Sequence, residues 1–177
     1  RLIVLDDMKL SDQDPYGWAP VTLDQGKPGS YLSDWLRLPW GGPDTIILPG
    51  YHTAAESALD QPSQPMPGNE VFLSVCGLMS GGARTLLLAR WRTGGQTSFD
   101  LVREFAQELP HTTASDAWQR AVFLTAGSQL NLEAEPRLKR GATGEMPKAN
   151  HPFFWAGYLL VDPGIPPRPP DHDPNEP

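Results

Sequence analysis

GGARTLLLARW, residues 81–91, contains the apolar run LLLA. A short continuous run of this kind is typical of a strand buried on both faces of a parallel sheet, and we expect that strand over residues 84–91. TIIL, residues 45–48, is a second such run, and the Pro-Gly pair at residues 49–50 ends it with a turn. The two runs predict the central strands of an α/β domain.

Helical patterns separate the predicted strands. Asn69 is placed to cap a helix over residues 70–80, and a shorter helix over residues 30–38 should end before Pro39. Alternating strands and helices imply right-handed crossovers and a mostly parallel sheet with helices on both faces. The expected fold is therefore a three-layer αβα sandwich.

Two further helices follow residue 91. Thr97 with Asp100, and Thr113 with Asp116, each match the start of a capping box. The predicted buried stripes are Phe99, Val102, Phe105, Ala106 and Leu109 in the first helix, and Ala117, Trp118, Ala121, Val122 and Thr125 in the second.

The remaining segments are the first and last strands and the loops. Residues 2–5 and 153–161 have the apolar, β-branched and aromatic content of strands. Residues 6–27 and 131–150 are rich in polar residues, Gly and Pro, which predicts exposed loops. Residues 163–177 are too rich in proline and acidic residues to fold, so we interpret them as a linker or disordered tail.

Composition narrows the class of protein. We assign residues 1–162 to one domain, and the start at Arg1 suggests a segment of a longer chain. A net charge of −7 and a pI near 5.0 argue against nucleic-acid binding. No apolar run approaches the ~18 residues of a membrane helix. One cysteine without a zinc-site pattern predicts no metal, no cofactor and a reducing, cytoplasmic location.

Two segments resemble the second half of CHAT domains, a family of caspase-like peptidases. These segments are GGARTLLLARW at residues 81–91 and HPFFWAGYLLVD at residues 151–162. The family typically reads AGARSVVASLW, then two helices, then HPYYWAAFVLxG. The resemblance implies a caspase-like fold, a cysteine peptidase ancestry and an association with helical repeats elsewhere in the full-length chain.

The same resemblance implies that the catalytic residues are missing. When TIILPGYHT, residues 45–53, is aligned with the family motif LSACxTG, the nucleophilic cysteine falls on Tyr51 and its neighbour on His52. The family's catalytic histidine lies at the end of the first strand, where this chain has Asp6 and Asp7. A cysteine peptidase needs a thiolate and a base, and a tyrosine hydroxyl is a poor substitute.

An alternative interpretation keeps the activity. VFLSVCG, residues 71–77, also resembles the cysteine motif, and Cys76 with His52 would then form a rearranged dyad. Residues 77–83 are too few for a parallel crossover to the next strand, which favours Cys76 as a buried helix residue. His52 is otherwise expected to satisfy loop backbone groups. Asp6 and Asp7 suggest an acidic pocket or a cation site, or simply solvated loop charges.

The resemblance thus implies a catalytically degenerate CHAT domain that binds a protein or peptide partner, in a multidomain protein of bacterial signalling or defence. The expected groove lies at the carboxyl ends of the strands, around Tyr51, His52, Arg92 and Asp7. The alternatives are an active cysteine endopeptidase and a purely stabilising domain whose flanking regions carry the function.

Overall fold

The computed structural model describes residues 1–9, 19–20, 27–37, 43–52, 69–91, 94–135 and 148–164. The strands are β1 (Leu2–Ile3), β2 (Met8–Lys9), β3 (Ala19–Pro20), β4 (Thr45–Leu48), β5 (Thr85–Ala89) and β6 (Tyr158–Val161). The helices are α1 (Leu32–Arg37), α2 (Asn69–Ser80), α3 (Gly95–Glu108) and α4 (Ala114–Ala126), with single 3-10 turns at Leu132–Ala134 and Pro152–Phe154.

The main sheet has the strand order β1-β4-β5-β6. Strands β1, β4 and β5 are parallel, with Ile46 paired to Leu86, whereas β6 runs antiparallel and pairs Val161 with Leu86. Strand β6 is reversed because it starts beside the carboxyl end of β5, where Arg90 donates a backbone hydrogen bond to Gly157. The chain therefore has an α/β fold with a mixed, open four-stranded sheet.

The two central strands contribute to two apolar clusters, one on each face of the sheet. Successive side chains of a strand point to opposite faces, and every residue of β4 is buried. Ile47, Leu87 and Ala89 pack with α3 and α4, in a cluster that includes Leu101, Val102, Phe105, Ala117 and Ala121. Ile46, Leu48, Leu86 and Leu88 pack in the other cluster, with Trp35 of α1 and Val71, Val75 and Leu78 of α2. The continuous apolar runs are explained by burial on both sides.

Helix α4 begins as the sequence predicts. Thr113 is its N-cap, and the Thr113 hydroxyl accepts a hydrogen bond from the backbone N–H of Asp116 and donates one to the Asp116 carboxylate. The buried stripe is confirmed at Ala117, Ala121 and Thr125, while Trp118 is half-buried and packs edge-on against Phe105. The capping pattern is sufficient to predict the start of α4 because Thr113 and Asp116, which bond to each other, lie within one helical turn.

The start of α3 differs from the prediction. The helix begins at Gly95, so Thr97 lies inside the first turn and is buried rather than being the cap. Phe99 was expected in the buried stripe, but 44% of it is exposed, and Leu101 occupies the core instead. The rest of the predicted stripe is confirmed, since Val102, Phe105 and Leu109 are buried. The earlier start is accompanied by a capping group from outside the helix, which is described below.

Two segments predicted as loops contain ordered structure. Within residues 6–27, β2 and β3 form a short antiparallel ladder in which Met8 is buried opposite Pro20. Within residues 131–150, Glu135 is buried beside a 3-10 turn, so this segment is not wholly exposed. The sequence does not reveal either feature, because each depends on partners far along the chain.

The last strand is shorter than predicted. Pro152 begins a 3-10 turn instead of extending the strand, and the His151 imidazole caps it by accepting the N–H of Phe153 at its Nδ1 atom. The expected tail lies outside the described residues from position 165 onward. Among the helices that the structure describes, none is long and apolar enough to cross a membrane.

Candidate functional site at the strand ends

The carboxyl ends of β1, β4 and β5 meet at one edge of the sheet because the three strands are parallel. Asp6 and Asp7 follow β1, the turn with Tyr51 and His52 follows β4, and Arg90 follows β5. Ligands of open α/β sheets bind at this edge. It is therefore the candidate functional site, and Asp7, Tyr51 and His52 of the predicted groove follow strands that end there.

Tyr51 is a core residue of this edge rather than a groove residue. Its backbone N–H donates to Leu48 in the turn after β4, and its side chain is completely buried. The Tyr51 hydroxyl lies 2.8 Å from the hydroxyl of Ser74 in α2, which is also completely buried. A ligand lying across the edge cannot contact the Tyr51 side chain, so its expected place in a peptide groove is not supported.

His52 is also withdrawn from solvent, with 6% of it exposed. Its Nδ1 atom lies 3.3 Å from the carbonyl oxygen of Gly50. A carbonyl only accepts hydrogen bonds, so this contact places the donating N–H on Nδ1. This geometry agrees with the structural interpretation of His52, in which the imidazole satisfies backbone groups of the loop.

Cys76 lies in α2, as expected, but the expectation that it is buried is wrong. The thiol is exposed. Ser74, two residues earlier, is the α2 residue that faces Tyr51, and two residues correspond to a rotation of about 200° around a helix. Cys76 thus points away from the side of α2 on which Tyr51 lies. A buried His52 and a thiol on the far side of the helix do not form a dyad.

The acidic side of the edge is partly open. Asp7 is exposed and Asp6 is half-buried. The turn after β4 packs directly against this segment, since Gly50 accepts the N–H of Met8 and a Cβ at Gly50 would overlap the backbone of Asp6. Arg92, the fourth expected groove residue, lies outside the described residues. Across the described ranges, no group of three His, Cys, Asp or Glu side chains is placed to hold a metal ion.

Arg90 and Trp91 connect the edge to the segment that precedes β6. The Arg90 guanidinium donates to the carbonyl of Ala156 at 2.6 Å and lies 5.5 Å from the Trp91 ring centroid. The Trp91 indole N–H donates to the carbonyl of Phe153. Gly157 packs flat on the Trp91 ring, where a Cβ would lie 2.5 Å from the nearest ring atom. These contacts hold the Arg90 and Trp91 side chains in place at the β5 end of the edge.

The N-terminus of α3 lies just beyond β5 and carries a contact that the sequence interpretation missed. The backbone N–H of Thr97 donates to the Glu135 carboxylate at 2.7 Å, and 3% of Glu135 is exposed. The adjacent glycines, Gly94 and Gly95, both have positive φ. The Gly-Gly pair before an amphipathic helix is the sequence signal that points to a special helix start, but it does not identify Glu135.

A small apolar cavity of about 10 Å³ lies away from this edge, between the sheet and helices α1 and α2. Its lining includes Leu2, Trp35, Ile46 and Leu78. A volume of this size holds at most about one water molecule, and apolar walls disfavour even that. The cavity is therefore a packing defect and not a substrate pocket.

Comparison with protein-family models, with curated proteins and with solved structures gives no match for this chain.

Proposed function

We propose that this chain is a caspase-like domain of the CHAT type that has lost its catalytic residues and serves as a protein- or peptide-interaction module in a multidomain bacterial protein. The resemblance at residues 81–91 and 151–162 supports this proposal, as does the order of elements between them. The proposed architecture is the three-layer αβα sandwich of that family. Helices whose residues pack with opposite faces of β4 and β5 are consistent with it.

The observation that carries the proposal is the burial and hydrogen bonding of the Tyr51 side chain. In the alignment with the family, Tyr51 occupies the position of the nucleophile, and its hydroxyl is buried and bonded to Ser74. A nucleophile must reach a scissile carbonyl and must have a base within hydrogen-bond distance. A completely buried phenol does not present its oxygen to a scissile carbonyl, which favours a structural role for this position over acyl transfer.

A bound peptide would contact the exposed residues of the edge and not the buried ones. Asp7 lies on one side of the turn after β4, and the exposed Arg90 lies on the other. The two side chains carry opposite charges, which would orient a peptide by its own charge pattern. Contacts of this kind fix direction and specificity more than affinity.

The test is selection of peptides from a random display library on the immobilised domain, with two charge-reversal variants. Asp7→Lys changes the strand-end edge, whereas Asp44→Lys changes another exposed carboxylate, at the amino end of β4. We expect peptides that bind the wild type and Asp44→Lys but not Asp7→Lys. Thermal unfolding of both variants checks that each is folded.

Two outcomes would contradict the proposal. Peptides bound equally well by both variants would place the binding surface elsewhere, and no enrichment at all would favour a purely stabilising domain. Cleavage of the selected peptides that is lost in Cys76→Ala would restore the peptidase interpretation.

A further inference from the structure

Strand β1 forms one outer edge of the main sheet. It pairs with β4, and in the part of the chain that the structure describes no strand lies on its other side. The pairing continues past the end of β1, since the N–H of Val4 donates to the carbonyl of Ile47. The backbone groups of successive strand residues point alternately to the two sides of the strand. Those of Ile3 and Leu5 therefore point to the open side.

The side chains of this edge alternate in exposure. Leu2 and Val4 are half-buried and pack in the apolar cluster shared with α1 and α2. Ile3 and Leu5 are 40% and 55% exposed and point to the opposite face of the sheet. Ile3 pairs with Ile47, whose side chain packs in the cluster shared with α3 and α4. The apolar surface of that cluster thus continues out to the open edge and ends there without a cover.

The open edge lacks the charges and prolines that usually prevent strand pairing between proteins. Residues 2–5 read LIVL, without a charged residue or a proline. The other edge strand, β6, differs, because none of its residues is as exposed as Ile3 and Asp162 and Pro163 follow it directly. Of the two edges, β1 is the one suited to receive another strand.

The charges at the two ends of this segment are complementary to those of a second copy. Arg1 precedes the apolar residues and Asp7 follows them, and both are exposed. In an antiparallel pair with Val4 opposite its own copy, Ile3 lies opposite Leu5 and Arg1 lies opposite Asp7, each twice by symmetry. A parallel copy would instead place Arg1 beside Arg1 and Asp7 beside Asp7. Opposite charges in register also offset the repulsion between two chains that each carry a net charge of −7.

We propose that the open edge of β1 binds a second copy of this chain, in an antiparallel pair centred on Val4 that joins two sheets into one. Each Ile3–Leu5 pair exchanges both of its N–H···O=C bonds across the two-fold axis. The two exposed apolar side chains of one copy are then covered by those of the other. This inference does not rest on the proposed function. Asp7 borders both surfaces, so the first test uses Leu5 instead.

The first experiment is sedimentation velocity of the full chain over a range of concentrations. The wild type should show a reversible equilibrium between monomer and dimer. Leu5→Lys should raise the dissociation constant by about tenfold, because it removes an apolar cross-strand contact on each side of the axis. Phe123→Lys is the matched control, since it replaces an even more exposed apolar side chain on α4 and should dimerise as the wild type does. Thermal unfolding checks that both variants are folded.

A charge swap tests the antiparallel arrangement and keeps the core residues unchanged. Arg1→Asp should weaken the dimer by about tenfold, because it replaces two attractive cross-strand pairs with two repulsive ones. The double variant Arg1→Asp with Asp7→Arg should restore dimerisation. A role of Arg1 within one copy alone does not predict that rescue.

Disulfide formation tests the register, in a Cys76→Ser background that removes the exposed thiol of α2. Val4→Cys should give a linked dimer, because residues facing each other in a non-hydrogen-bonded antiparallel pair have Cα atoms about 4.5 Å apart. Leu5→Cys is the matched control. Residue 5 is more exposed, but it lies opposite Ile3 rather than its own copy, so it should link more slowly.

Three results would overturn the proposal. A wild type that stays monomeric up to its solubility limit would leave a different chain as the occupant of this edge. A dimer that Leu5→Lys leaves intact, or that Phe123→Lys abolishes, would place the interface elsewhere. A charge swap that does not restore the dimer, or faster linkage of Leu5→Cys than of Val4→Cys, would exclude the antiparallel pair centred on Val4.

Discussion

The hydroxyl of Tyr51 and the hydroxyl of Ser74 lie 2.8 Å apart, and both side chains are completely buried. Tyr51 follows the central strand β4 and Ser74 belongs to α2, so this hydrogen bond joins the sheet to a helix that covers it. Each hydroxyl gives the other a partner in a region from which water is excluded. The position that the family resemblance assigns to a nucleophile is thus part of the core.

Tyr51→Phe should destabilise the domain by about 1–3 kcal/mol, because the buried Ser74 hydroxyl loses its Tyr51 partner. Adding Ser74→Ala to that variant should cost less than Ser74→Ala costs in the wild type, since both ends of the bond are then gone. Urea unfolding of the two single variants and the double variant measures this coupling. Strictly additive costs would mean that the two hydroxyls do not interact.

Cys76 should react readily with iodoacetamide in the folded protein, because its thiol is exposed on α2. Cys76→Ser should change the free energy of unfolding by no more than about 0.5 kcal/mol, as is usual for exposed positions. Mass spectrometry of the alkylated protein follows the reaction. A thiol that reacts only after denaturant is added would indicate that α2 packs differently.

Gly157→Ala should destabilise the domain by about 1–3 kcal/mol, because the new Cβ would press on the Trp91 ring. Gly127→Ala is the matched control. Gly127 has φ of −81°, and a Cβ there would meet nothing closer than 3.6 Å, so its substitution should be neutral or slightly stabilising. Denaturant unfolding compares the two, and equal effects would contradict the close packing of Gly157 on Trp91.

Thr113→Ala should cost about 1 kcal/mol, because the first turn of α4 loses the acceptor for the Asp116 N–H. Gln119→Ala, an exposed substitution in the same helix, should stay within about 0.5 kcal/mol of the wild type. Thermal unfolding of the two variants provides the comparison. A Thr113→Ala variant as stable as Gln119→Ala would show that the cap does not contribute.

The central strands and α4 could be predicted from the sequence because their signals are local. The run at residues 45–48 coincides with β4, and the run at residues 84–91 contains β5. Thr113 and Asp116 lie within one helical turn of each other, so the capping pattern needs no distant partner. Asn69, the predicted cap of α2, is that helix's first residue.

The start of α3 could not be predicted because its cap is remote. Thr97 and Asp100 have the spacing of a capping box, which predicts a helix that starts after Thr97. In the structure the helix begins earlier, at Gly95, and the Glu135 carboxylate accepts the Thr97 N–H. The direction of β6 is a similar case. A strand's sequence does not record whether its neighbour runs parallel, and the Gly157 contacts with Trp91 and Arg90 that accompany the reversal join distant parts of the chain.

The sequence predicted that Asp7, Tyr51 and His52 follow the ends of strands, but it did not predict which of these side chains are exposed. Helix α2 carries apolar residues of its own on several sides. Val75 packs against the core, whereas Phe72 is exposed. The spacing of apolar residues therefore does not reveal which side of α2 faces the sheet. The sheet makes that selection by placing Ser74 opposite Tyr51. The side of the helix on which Cys76 lies follows from that contact.

The mixed sheet has a consequence for how the chain assembles. The α3–α4 pair consists of neighbours in sequence, and helical pairs of this kind form quickly, whereas Leu86 of β5 pairs with Val161 of β6, a residue much later in the chain. During synthesis, β5 therefore emerges from the ribosome long before its antiparallel neighbour does. Until residues 158–161 appear, the β5 backbone is an open edge of the kind that other chains can pair with.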